Sequence, residues 1–189
     1  MLVLKLSTLA ILLGLGMGIP QIYGFVNPTG FAAAVRRFPR SVPWGYALML
    51  LGTAWFVYNL SQESISDFAA YKNILFAAFA AVGIGSCIYV QDFLAVRGLA
   101  VVFLLLAKLM VDTGRPHLDQ SALVLIIQTW AYVLVVLGIW LTVSPWRLRD
   151  FLHWATANER RIKIGCGIRL AFGLLVAVLG FTKFQFPAG

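Results

Sequence analysis

The stretch SALVLIIQTWAYVLVVLGIWLTV, residues 121–143, runs for its whole length without an Asp, Glu, Lys or Arg. A helix rises about 1.5 Å per residue, so such a run reaches across the roughly 30 Å of hydrocarbon in a bilayer. A buried helix of a soluble domain needs only about 10–14 apolar residues. Working outward from this run, five more long apolar runs, each with at most two basic residues, stand at 3–25, 43–60, 72–90, 93–111 and 164–183. The expected fold class is all-α: a polytopic integral membrane bundle of about six transmembrane helices, formed as hairpins joined by short interfacial amphipathic helices.

Composition points the same way. The chain is 61% apolar and 12% charged, against about 45–50% and 25% for soluble domains. That excludes an ordinary cytosolic enzyme, a disordered chain and a soluble nucleic-acid binder. The net charge of +8 does not argue for nucleic acid, because the basic residues lie in loops between apolar runs. There they mark the cytoplasmic face and the anionic lipid beside it. The expected partners are the bilayer, its anionic headgroups, and either further copies of the chain or a partner membrane subunit. Residues 1–189 read as a single transmembrane domain, since no loop is long enough to fold as a soluble one. Cys87 and Cys166 both fall inside runs, so no disulfide framework is expected.

Lys5 followed by apolar residues also resembles a secretory signal. The run is long for one, lacks an Ala-x-Ala site, and cleavage would leave Arg36, Arg37 and Arg40 outside. It is read as a retained helix.

With six alternating spans, the connections 27–42, 91–97 and 144–163 share one side. They carry Arg36, Arg37, Arg40, Arg97, Arg147, Arg149, Arg160, Arg161 and Lys163, whereas Lys5, Lys72, Lys108, Arg115 and Lys183 fall on the other. The positive-inside bias then places both termini outside. The expected location is the inner (plasma) membrane of a bacterium.

A device repeats on the basic side. Asn27-Pro28 precedes Phe31, Val35 and Phe38, and Ser144-Pro145 precedes Leu148, Phe151, Leu152 and Ala155. Asn or Ser before Pro is a helix-start signature, and apolar spacings of three and four make one greasy stripe. Each segment predicts a short helix lying in the headgroups, with Arg36, Arg37, Arg40, Arg147 and Arg149 as lipid-interface residues. Gln91-Asp92-Phe93 to Arg97-Gly98 is a shorter relative.

Small residues recur every four positions in three runs: Gly14 and Gly18; Ala69, Asn73, Ala77, Ala81 and Gly85; Gly165, Arg169, Gly173 and Ala177. Such stripes let helices approach closely where no hydrophobic effect drives association. Packing within the monomer is the preferred reading; a homodimer or partner-subunit face is the alternative. Asn59, Asn73 and Gln128 are candidate interhelical hydrogen-bonders.

The candidate functional or structural polar residues are Lys108, Asp112, Arg115 and Arg169. Lys108 and Asp112 stand one helical turn apart and can pair. They suit either a proton or substrate site or, as preferred, a lysine reaching the headgroups with a neutralising carboxylate. Arg169 lies about six residues inside the last run, with Asp92, Asp150 or Glu159 as expected partners. No cofactor is expected, no metal site, and no complete catalytic set: His117 and His153 are the chain's two histidines, and neither has a ligand cluster around it.

Lys108 followed after six residues by Arg115-Pro116 is similar to the first motif of membrane phosphatidic-acid phosphatases. Arg147 followed after five by His153 resembles their third. The resemblance implies phosphate held by Lys108, Arg115 and Arg147, with His153 as nucleophile. It stops at these four residues. The middle Pro-Ser-Gly-His motif is absent, Trp146 replaces a Ser, and Ala157 stands where an Asp would orient the histidine. The alternating topology also puts Arg115 and His153 on opposite sides.

The leading expectation is a non-enzymatic accessory, assembly or scaffold subunit of a membrane complex. A small transporter or oligomeric channel is the alternative, and a lipid phosphate-active enzyme a remote third.

Overall fold

The computed structural model describes residues 5–62 and 71–185, and every regular element among them is helical. The long helices are α1 (Leu6–Val26), α3 (Val42–Gln62), α4 (Lys72–Tyr89), α5 (Leu94–Gly114), α6 (Val124–Val143) and α8 (Glu159–Thr182). Two shorter ones stand between them, α2 (Pro28–Arg37) and α7 (Trp146–Ala155). Residues 3 and 4 of the first apolar run, and Ala69 of the third-run stripe, lie outside the described residues.

Five helices are long and apolar enough to cross a membrane: α1, α4, α5 with its 3₁₀ extension to His117, α6 and α8. The remaining apolar run, 43–60, forms α3, as long as α1 at 21 residues, but it falls outside that set. It carries no charged side chain; Trp44, Tyr46, Trp55, Tyr58 and Asn59 dilute its aliphatic content. The last helix starts five residues ahead of the apolar run at 164, because Asn158 caps it: its Oδ1 accepts from the Arg161 N–H at 3.0 Å. Glu159, Arg160, Arg161 and Lys163 are thereby helical rather than loop.

The described chain forms two compact units. One comprises 37–62, 71–106 and 134–148. Its core gathers Phe93, Val96, Ala100 and Leu141, with Phe103 and Leu148 against them, and a second cluster joins Met49, Cys87 and Leu94 to Tyr46. Small residues set the helix spacing. A Cβ on Gly98 of α5 would stand 2.7 Å from the Met49 backbone nitrogen of α3, so only glycine fits there. Between α3 and α4, the Phe56 and Phe79 rings meet at a 58° tilt with centroids 4.7 Å apart, and Lys72 Nζ donates to the Ser61 carbonyl at 2.7 Å.

The other unit comprises 5–36, 107–133 and 149–185, and its spine is α1 packed along α8. The small stripes of the first and last runs meet each other there. A Cβ on Gly173 would lie 2.6 Å from the Gly14 carbonyl oxygen and 3.0 Å from the Gly18 nitrogen. Trp130 of α6 meets Phe172 of α8 edge-on at 5.1 Å.

Candidate functional site

The residues that carry chemistry lie mostly around the two short helices. Asn27 joins α1 to α2: its N–H donates to the Tyr23 carbonyl, while its Oδ1 accepts from the Gly30 N–H at 2.9 Å. Pro28 follows at the first helical position, where no donor is needed. At the start of α7 the corresponding Ser144 works through its backbone, its carbonyl accepting from the Arg147 N–H at 3.1 Å.

Arg36, expected at the lipid headgroups, is exposed and also bonds within the protein. Its Nε donates to the Thr156 hydroxyl at 2.8 Å and its Nη2 to the Thr156 carbonyl at 2.7 Å. Thr156 is buried and its hydroxyl donates in turn to the Leu152 carbonyl at 2.6 Å. The cause is the end of α7, whose last carbonyls have no intrahelical donor; a guanidinium supplies what the helix lacks. Arg149 donates twice to the adjacent Asp150, at 2.9 and 2.7 Å. Arg161 lies over the Trp154 ring at 5.2 Å. Arg37, Arg40 and Arg147 are exposed.

Arg40 stands 5.8 Å from the centroid of the Phe93 ring. Phe93 itself is buried and has φ 55°, a left-handed conformation that costs a non-glycine residue about 1–2 kcal/mol. It lets the chain turn from α4 into α5 within a few residues, in place of an interfacial helix. One turn later comes Arg97, whose Nε is buried with no acceptor among the described residues.

At the other end of α5, Lys108 and Asp112 pair at 2.7 Å with side chains 45% and 40% exposed, so the pair is open to its surroundings. Arg115 starts the 3₁₀ turn Arg115–His117, and His117 Nδ1 lies 3.4 Å from Gln120 Oε1. The buried Gln128 of α6 donates to the Val111 carbonyl of α5 at 3.3 Å, a bond between helices. Asn59 and Asn73 make no such bond among the described residues.

Arg169 is half-buried on α8. The side chain it meets is Gln21 of α1, whose buried Oε1 accepts from Nη1 at 3.5 Å, while Gln21 Nε2 donates to the Met17 carbonyl. The acidic partners anticipated for Arg169 are otherwise engaged in two cases: Asp150 with Arg149, and Glu159 with Lys163 at 3.8 Å. Glu159 sits more than two turns away along the same helix, out of reach for a direct pair.

His153, the nucleophile in the phosphatase resemblance, makes no hydrogen bond or ion pair with a described residue. In a histidine nucleophile a carboxylate fixes the ring, and here position 157 is Ala157. No group of three or more His, Cys, Asp or Glu with metal-binding geometry occurs among the described residues. No protein-family model, curated protein or solved structure matches the chain.

Gln21 and Thr156 are the groups that sequence reasoning did not single out, and Arg97 was read there only as one of the basic-side residues. A carboxamide inside an apolar run was a usable signal for Gln21. Nothing in the sequence marks Thr156 as the acceptor for Arg36.

Proposed function

We propose that the chain is an integral membrane protein of six spans, with α3 as the second. The basic loops face the cytoplasm of a bacterium and both termini lie outside. In this reading it serves as a non-enzymatic accessory, assembly or scaffold subunit. Its outward side chains, among them Leu12, Ile74, Val136 and Val178, match lipid tails rather than water.

The observation that carries the subunit reading is the outer face of α4. Asn73, Ala77 and Ala81 are exposed, and nothing lies within 4 Å of a Cβ built on Gly85. The equivalent stripes on α1 and α8 are used up against each other, so α4 keeps a close-approach face that no described helix covers. A partner helix fits this face better than lipid, because smooth small-residue surfaces gain van der Waals contact only from another backbone.

The test is native mass spectrometry of the protein purified from its own membranes in mild detergent. A partner in fixed stoichiometry, lost on Ala81→Trp while the protein's melting temperature is kept, is the expected result. Monomer alone, or a complex indifferent to Ala81→Trp, contradicts the reading. The second reading, a small transporter or a channel of several copies, draws on Arg169 lying inside α8 opposite a neutral amide.

A further inference from the structure

The first turn of α5 holds a cationic donor that the described residues leave unsatisfied. Arg97 is half-buried, its Nε is fully so, and no described residue accepts from that atom. Burying a charged donor without an acceptor is costly, more so than for a neutral amide. An acceptor from outside the chain removes that cost, and the surroundings favour one that carries negative charge. Within this unit the described residues supply Arg37, Arg40, Lys72, Arg97 and Arg147 against a single carboxylate, Asp92. Asp92 is exposed and makes no ion pair with a described residue, so it does not neutralise Arg97.

A second arginine stands at the same place. Phe93 precedes Arg97 by four residues, and the Arg97 N–H donates to the Phe93 carbonyl at 3.1 Å. That bond keeps Arg97 one turn from Phe93, which stands just ahead of α5. On the ring of that same Phe93 rests the Arg40 guanidinium, at 5.8 Å. Arg40 makes no hydrogen bond with a described residue, so its five N–H donors remain available. The buried ring holds the planar group in place without using its donors. The strained φ of Phe93, 55°, is the backbone conformation that holds this ring at the mouth of α5.

We propose that Arg97 and Arg40, gathered about Phe93, form a binding site for a phosphate group. The guanidinium fork fits phosphate oxygens in a bidentate manner, which a lysine does not reproduce. The phosphate comes either from the headgroup of an anionic phospholipid or from free inorganic phosphate. Only the lipid source rests on the membrane reading. Resistance of the protein to extraction from membranes by alkaline carbonate tests that reading separately.

Delipidated protein in mild detergent is titrated with phosphatidylglycerol and with phosphatidylcholine of the same acyl chains, read by native mass spectrometry. Inorganic phosphate is added as a competitor, and alone in a thermal-unfolding series. The expected result is a preference for phosphatidylglycerol that falls about tenfold or more in Arg97→Leu and in Arg40→Ala. The exposed Arg160→Ala, in the other unit, keeps the preference, and Arg97→Lys restores it in part. Lipid binding indifferent to phosphate assigns the site to a headgroup. Stabilisation by phosphate that requires Arg97, without preference between the lipids, assigns it to the free ion. Equal binding of both lipids with no phosphate effect, or full binding in both variants, overturns the proposal. Arg40→Ala carries the test where Arg97→Leu fails to fold, because Arg40 is exposed.

Discussion

Arg36 holds Thr156 by two hydrogen bonds, at 2.8 and 2.7 Å, between residues 120 apart in the chain. The clasp joins the short helix that follows α1 to the end of the short helix that precedes α8. Both acceptors belong to one residue, so the guanidinium is fixed in plane as well as in position. Arg36→Ala is expected to cost about 2 kcal/mol, the range for hydrogen bonds from charged donors to buried acceptors. For a chain of this size that is roughly a 4–8 °C fall in melting temperature. Arg37→Ala, one residue on and exposed, is expected to leave the transition nearly unmoved. Thermal unfolding in mild detergent compares the two, and equal shifts would discredit the clasp.

Two glycines separate close packing from open surface. Gly173→Ala puts a Cβ 2.6 Å from a backbone oxygen on α1, which cannot move aside as a side chain can. The expected loss is about 1–3 kcal/mol from overpacking. Gly85→Ala meets nothing within 4 Å and gains helix propensity, of order 0.8–1 kcal/mol in an exposed helix. Opposite signs in the same unfolding assay are the predicted outcome.

Arg169→Ala removes the donor that reaches the buried Gln21 Oε1 at 3.5 Å. An amide oxygen left without a donor is expected to lower stability by about 1 kcal/mol. Arg160→Ala, exposed at the start of α8, is expected to change it by less than about 0.5 kcal/mol. Chemical denaturation in detergent distinguishes them; no difference would mean that Arg169 extends to water and leaves Gln21 to Met17.

Reporter fusions read the proposed orientation. Fusions after Gln62 and after His117 are expected to report the outside, and fusions after Ala157 the cytoplasm. The reverse pattern would overturn the topology, and a cytoplasmic signal after Gln62 alone would remove α3 from the spans.

The long helices were legible because each is a continuous apolar run, and α2 and α7 because Asn27-Pro28 and Ser144-Pro145 announce them. The start of α8 was missed because Arg160, Arg161 and Lys163 look like loop until Asn158 is seen as a cap. Small-residue periodicity located helix faces but not what covers them: Gly14 and Gly173 meet, whereas Ala77 and Ala81 stay outside. The polar pairs were the least legible. Arg36 with Thr156, and Arg169 with Gln21, bring together distant residues whose local sequence carries no trace of the partner. Charge matching suggested carboxylates for Arg169, and the structure supplies a neutral amide instead.

The seam between Gly14 and Gly173 also orders events during synthesis. α1 is finished at Val26, while α8 begins only at Glu159. At roughly 5–20 residues per second, α1 waits on the order of ten seconds before its mate leaves the ribosome. Through that interval the smooth groove of α1 is open to any neighbouring helix. On the proposed membrane reading, the earliest segment is therefore the one an insertion chaperone has most to protect, and a slow stretch of codons before residue 159 would lengthen its exposure.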